Sequence, residues 1–279
     1  MRMITDSAAD LTAAELAERD IRCVSTQVIF EDESCVPGLD ISVEDFWLRL
    51  LAGEVVKTSQ PAPGAYLEEF NAAKAAGDEV VCICVSSGVS GTIQSARLAA
   101  AMCDWEGIHI VDSLTGAAAQ KLLVLHACRL RDEGRFTAVQ VAEEVEKLRS
   151  RMRLLASLDT LEYLARSGRI PKALASLGAL TQLKPLLEVN EEGRIVLGGK
   201  AFGRHRAIDS LARRIAGTRI DPAHPVIPLY SYRDANCQAL VRKLKELNVA
   251  VAEECCAIGA SIAPHIGPNA YGVAFVEAE

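Results

Sequence analysis

The run Val80–Val85 (VVCICV) is apolar at every position and rich in β-branched residues. That is the pattern of a strand covered on both faces, and so of the interior of a parallel sheet. A Ser/Gly turn follows at Ser86–Thr92 (SSGVSGT), then an Ala-rich helix-forming segment at Ile93–Met102 (IQSARLAAAM), with Ser90 or Thr92 available as its N-cap. The whole stretch Asp78–Ala100 thus reads as strand, turn and helix. Unpaired N–H groups gather at the positive end of such a helix. The stretch commits the chain to an α/β fold and marks a place for an anion.

The rest of the first half supports that commitment. Met1–Ile4 reads as a first strand that ends in Thr5, Asp6 and Ser7, and Thr12–Asp20 as a helix. Ile21–Phe30 alternates as a second strand, and Ser42–Leu51 as a helix with an N-cap serine that puts Phe46 and Leu50 on one apolar face. The prolines of Val56–Pro63 (VKTSQPAP) predict a loop there. Tyr66–Ala76 is a helix that stops at Gly77, Gly107–Asp112 a further buried strand closed by Asp112 and Ser113, and Gly116–Glu133 and Thr137–Arg151 are long helices. This alternation calls for a parallel, doubly wound sheet with right-handed crossovers.

The rhythm changes after Arg153. Leu154–Leu158 reads as a strand and Thr160–Arg166 as a short helix; a turn over Ser167–Pro171 then starts another helix through Ala179. Leu183–Phe202 reads as a hairpin around Asn190–Gly193, and Arg204–Ala216 as a basic amphipathic helix. Then come a strand at Pro225–Tyr230, a helix at Ala235–Leu247, a strand near Glu253–Ile258, a helix or loop carrying Pro264–Asn269, and a last strand Gly272–Val276. The expected organisation is an α/β domain over 1–153 and a second, α+β mixed-sheet domain over 154–279.

Composition removes several classes of function. A formal net charge of -7 argues against nucleic acid as the main partner. No stretch approaches the roughly 20 apolar residues of a spanning helix, and MRMITDSAADL has no secretory apolar core, so a cytoplasmic protein is expected. The nine cysteines are odd in number, contain no CxxC pair and sit mostly in apolar runs, as buried reduced thiols do. None of the five histidines has HExxH spacing, and no metal site is expected.

Several polar residues remain as candidates, each with a plainer role beside it. Gly88 stands two before Ser90, but position 92 is a threonine, so the nucleophile-elbow pattern fails; no lysine follows Gly91, so the phosphate loop fails too. Ser90 is then either a helix cap or an anion ligand. Thr58 and Ser59 lie on the proline-bounded segment, His265 among glycines and prolines, and Arg169 after Gly168. Lys200, Arg204 and Arg206 form a basic group that either binds phosphate or carboxylate or is simply solvated.

Seven segments in order carry a resemblance to the DegV family: ITDSAADL (Ile4–Leu11), KTSQPAP (Lys57–Pro63), SSGVSGTIQSA (Ser86–Ala96), VDS (Val111–Ser113), LEYLARSGRI (Leu161–Ile170), LKPLLEVNEEGRI (Leu183–Ile195) and HIGPNAYG (His265–Gly272). The resemblance implies a two-domain α/β architecture that holds a long-chain fatty acid between its domains. It further implies a role like that of the fatty-acid-binding subunit of bacterial fatty acid kinase in phospholipid metabolism. On that basis the chain is a carrier, not an enzyme; its ligand is the fatty acid, no cofactor is involved, and a separate kinase subunit performs the catalysis. Thr58 and Ser90 correspond to carboxylate ligands, with Ser59, Gly91 and Thr92 in the same two loops. His265, which also borders the ligand, Arg169 and Arg204 correspond to positions tied to phosphate transfer. The basic helix Arg204–Arg214 leaves docking on the kinase or transient membrane contact open. Two places depart from the family's pattern: Asn269 stands where a glycine is usual, and Glu33–Ile41 reads ESCVPGLDI. Asparagine tolerates positive φ better than most residues. The alternative is a stand-alone acyl- or phosphoryl-transfer enzyme using His265 as base and Ser90 as acceptor.

A fatty-acid carrier makes physical sense of the composition. At roughly 0.8 kcal/mol per buried CH₂, a sixteen-carbon chain supplies on the order of 10 kcal/mol before ordering costs. Its carboxylate must be hydrogen-bonded where the tail is dry. Half of the residues are hydrophobic but only 5% are aromatic, which suits an aliphatic tunnel.

Overall fold

The computed structural model describes residues 1–31, 33–171 and 182–279. Strands β1 (Arg2–Asp6), β2 (Ile21–Val24), β6 (Val80–Cys84) and β7 (Ile108–Asp112) form a parallel sheet in the order β2-β1-β6-β7. β6 is buried at all five positions, as its apolar run requires. Its alternate residues serve two cores. Val80, Cys82 and Cys84 face Tyr66 and Phe70 of α3 (Pro63–Ala76) and Ile93 and Ala96 of α4 (Thr92–Cys103). Val81 and Ile83 face α5 (Ala117–Asp132) and α6 (Ala138–Ser150). Helices on both faces make the sheet doubly wound.

Four local expectations need correction. Ile21–Phe30 is not one strand: β2 ends at Val24, and β3 (Gln27–Ile29) turns away into a separate three-stranded antiparallel sheet with β4 (Ser34–Cys35) and β5 (Lys57–Ser59). Val56–Pro63 is not wholly a loop, because β5 pairs Thr58 with Val28. Pro61 and Pro63 lie beyond the paired residues, and Pro63 opens α3 where its missing N–H costs nothing. β7 is an edge strand, mostly half-buried rather than buried. Finally, the N-cap of α4 is Gly91, with no side-chain cap. Other caps fall where the sequence puts them: Thr12 and Thr137 form capping boxes, and Ser42 caps α2 (Val43–Leu51).

The second sheet is mixed, in the order β10-β9-β8-β13-β11-β12. Its strands are β8 (Met152–Ser157), β9 (Leu183–Val189), β10 (Ile195–Phe202), β11 (Ile227–Tyr230), β12 (Cys256–Ala257) and β13 (Tyr271–Val276). β9 and β10 form the expected hairpin, and β11–β12 is the parallel pair. Between β8 and β9 lies α7 (Glu162–Arg166); the helix expected through Ala179 falls outside the described residues. On one face of the sheet, Leu155, Val273 and Phe275 pack on α8 (Arg204–Ala216) and α9 (Ala235–Glu246) through Leu211, Ile215, Leu240 and Leu244. On the other, Ile227, Leu229, Ala274 and Val276 join the cluster built on α5. A short helix, α10 (Ala263–Ile266), precedes β13. All nine cysteines are free, Cys23 and Cys255 half-buried and the rest buried. No helix among the described residues is long and apolar enough to cross a membrane.

Candidate functional site

A cavity of about 240 Å³ is enclosed by the carboxyl end of β6, the start of α5, strands β5, β8, β9, β11 and β13, α7 and the segment Ile258–Ile266. Most of its wall is aliphatic, including Leu154, Leu158, Leu164, Leu187, Leu229 and Ile262. Thr58, Ser59, Ser90, Gly91, Arg169 and His265 also line it. Six of the eight residues singled out in the sequence therefore meet on one wall. Thr92 is fully buried behind Ser90 and bonds it, Oγ to Oγ1, at 2.9 Å. Arg204 is exposed at the first turn of α8, outside the lining.

The pairing of β5 with β3 fixes Thr58 against α10, where its Oγ1 lies 2.8 Å from His265 Nε2. Burial, reinforced by the Arg169 guanidinium, pushes the imidazole down to about 4, so His265 is neutral near pH 7. If Nε2 carries the proton and donates it to Thr58, the threonine hydroxyl hydrogen is free for a ligand carboxylate. Ser90 stands at the start of α4, where its Oγ accepts the Thr92 backbone N–H at 3.3 Å and the helix dipole favours negative charge. Arg169 is half-buried and donates from Nε to Val89 O at 3.3 Å and from Nη1 to Ser167 O at 2.6 Å. Among the described residues no carboxylate forms an ion pair with Arg169, so its charge faces the cavity uncompensated.

Close backbone approaches hold these groups in place. A Cβ on Gly91 would lie 2.0 Å from Gln60 Oε1, and Gln60 donates from Nε2 to Ser95 Oγ at 3.0 Å. The tip of the β9–β10 hairpin presses on the Ser86–Thr92 turn: a Cβ on Gly88 would lie 2.6 Å from Gly193 O. Ser86 Oγ donates to the same oxygen at 2.7 Å. Asn269 adopts φ +62°, the left-handed conformation that the usual glycine would take, and donates from Nδ2 to Asp159 Oδ2 at 3.0 Å.

Some residues of the site went unassigned in the sequence. Gln60 sits inside the KTSQPAP segment, which was the signal available for it. Ser86 heads the SSGVSGTIQSA segment in the same way, whereas Thr26, Thr115 and Ser261 line the cavity without belonging to any spacing that chemistry would demand. Ser90 and His265 do not form a nucleophile–base pair, since Nε2 is bonded to Thr58 and Nδ1 has no partner among the described residues. Nor do the described residues contain three or more His, Cys, Asp or Glu placed to hold a metal ion.

The DegV family model, described as an uncharacterised protein family, matches residues 1–278. A DegV domain-containing protein of Deinococcus radiodurans is 33% identical over 278 residues, 98% of this chain and 96% of its own. A fatty-acid-binding DegV family protein of Thermus thermophilus superposes with a TM-score of 0.88 at 29% identity, covering 99% of both chains. A stearic-acid-binding protein of Eubacterium ventriosum gives 0.88 at 25% identity, covering 99% of this chain and 98% of that one. With a family model matched from end to end and a relative one-third identical over nearly its whole length, the chain belongs to the DegV family.

Proposed function

We propose that the chain binds a long-chain fatty acid, tail in the aliphatic part of the cavity and carboxylate against Thr58 and Ser90. The observation that carries this reading is one apolar cavity with hydrogen-bonding hydroxyls, a helix start and an unneutralised arginine gathered on one wall. An aliphatic tail gains free energy in proportion to its buried length, and the head group is hydrogen-bonded where it leaves water. The similarity to fatty-acid-binding DegV proteins supports the same ligand. In this reading the α/β part, 1–153, supplies the Thr58 and Ser90 loops, and 154–279 supplies Arg169 and His265.

Presentation of the carboxylate to a separate kinase, which supplies ATP and forms the acyl phosphate, is the step we assign to a partner. Arg169 and neutral His265 border the carboxylate, and Arg204 supplies exposed positive charge on α8 for the partner. Transfer by this chain alone, with His265 activating Ser90, is less favoured because His265 is engaged by Thr58.

Mass spectrometry of an organic extract of the purified protein should reveal a fatty acid, and delipidated protein should bind palmitate or oleate; absence of any extracted fatty acid together with no binding of either acid would end the proposal. Thr58→Ala and Ser90→Ala should weaken binding, while Arg169→Ala and His265→Ala should chiefly reduce acyl-phosphate formation with a fatty acid kinase catalytic subunit. Equal binding losses in all four would contradict the division of roles.

A further inference from the structure

Ser7, Thr26 and Ser261 come from three distant parts of the chain and close a ring of hydroxyls. The Oγ–Oγ1 distance from Ser7 to Thr26 is 3.1 Å, Ser7 to Ser261 is 2.7 Å, and Thr26 donates to Ser261 at 2.7 Å. Ser7 Oγ also accepts the Thr26 backbone N–H at 2.9 Å. Each hydroxyl has one hydrogen and two lone pairs. The ring consumes all three hydrogens and one lone pair per oxygen, and the Thr26 N–H takes the second lone pair of Ser7. One acceptor lone pair is left on Thr26 and one on Ser261. Those two residues line the cavity, only 7% and 9% exposed, beside Ala8 and Ile262.

A plain aliphatic tail passing here leaves one acceptor position unused on each oxygen, where a ligand donor would add a hydrogen bond. We infer that this ring is a second polar subsite and that it takes a donor on the ligand, the hydroxyl of a β-hydroxy fatty acid; the inference rests on the fatty-acid reading above. Position sets the β assignment. Ser261 precedes His265 by four residues, in the turn that leads into α10, with Ala263 N bonded to Gly259 O and His265 N to Ile262 O. That keeps Ser261 close in the chain to His265 and so near the head of a ligand whose carboxylate is bonded by Thr58. With no hydrogen left to give, the ring accepts only. A ligand ether or carbonyl at the same carbon finds no partner.

Calorimetric titration of delipidated protein with palmitate, β-hydroxypalmitate of each hand and β-methoxypalmitate tests this. One hand of β-hydroxypalmitate should bind about tenfold more tightly than palmitate, the worth of a good hydrogen bond, and the methoxy acid should show no such gain. Thr26→Val and Ser261→Ala should bring the ratio of the two affinities to about one, while Thr26→Ser, which keeps the hydroxyl, should retain it. Equal binding of palmitate and both β-hydroxy acids, an equal gain for the methoxy acid, or a ratio that survives Thr26→Val would each overturn the subsite. Failure of palmitate and every other acid to bind would instead bring down the fatty-acid reading, and the subsite with it.

Discussion

Replacing Gly88 by alanine would strike the contact between the hairpin and the turn. The added methyl carbon would lie 2.6 Å from Gly193 O, 2.7 Å from Gly193 C and 2.8 Å from Glu192 O, all backbone atoms that no rotamer change can move aside. The hairpin tip must therefore lift. In doing so it lengthens the Ser86 Oγ–Gly193 O hydrogen bond of 2.7 Å, which is buried. Overpacking of this kind and a lost hydrogen bond together cost about 2 to 4 kcal/mol, which lowers Tm by about 3 to 7 °C for a chain of this size. Scanning calorimetry on delipidated protein is the assay, because bound lipid would raise Tm by mass action and hide the effect. Ser86→Ala separates the two components, since it removes the hydroxyl without adding bulk and should cost about 1 to 2 kcal/mol. Gly193 lines the cavity, so Gly88→Ala should also retain less lipid through purification. A Gly88→Ala protein with the Tm and lipid content of the parent would refute this account of how the hairpin closes the cavity.

His126 is pushed down to about 4 by burial and Arg129, from an ordinary value of 6.5, so only the unfolded chain takes up that proton between those values. Its contribution to stability is full above pH 6.5 and falls away as pH drops toward 4, and urea titrations should show His126→Asn less acid-sensitive than the parent, an equal acid slope in both proteins counting against the assignment. Asp10 runs the other way: burial lifts its carboxyl from 3.8 to about 8, with Oδ2 lacking a partner among the described residues, so stability is lost as pH rises between those two values. Asp10→Asn keeps an acceptor for the Gly259 N–H and should gain on the order of 3 kcal/mol at pH 8 and little at pH 4; a pH-independent difference would dismiss the idea. At Asn269, alanine should cost about 2 kcal/mol, half from the left-handed backbone and half from the Asp159 bond, while glycine should cost about 1 or less; equal costs would refute the backbone share.

The features legible in the sequence are those set by short-range chemistry. β6 announces itself because burial on both faces leaves no polar position, and the capping boxes and the hairpin turn are local patterns of a few residues. What escaped depends on partners distant in the chain. Nothing between Val24 and Gln27 signals that the backbone leaves one sheet for another, because no glycine or proline is needed there. β5 was masked by Pro61 and Pro63, which lie just beyond the paired residues. β7 has the apolar character of a central strand but sits at an edge, a matter of sheet order rather than composition. Thr58, Ser90 and His265 were found through motif resemblance, and their spacing of 32 and 175 residues explains why periodicity alone could not join them. The Ser7–Thr26–Ser261 ring had no motif to announce it.

The cluster around α5 bears on how anything enters the cavity. Leu122, Leu123 and Val124 share a single apolar core with Val81 and Ile83 of the parallel sheet and with Ile227, Leu229 and Val276 of the mixed sheet. Swinging the two sheets apart like jaws would expose those side chains at about 1.5 to 3 kcal/mol each. Exposing all eight would cost about 12 to 24 kcal/mol, as much as or more than the whole stability of an ordinary domain, about 5 to 15 kcal/mol. The molecule is thus a strongbox rather than a clam: its walls are welded along α5, and traffic must pass through a local panel while the frame stays shut.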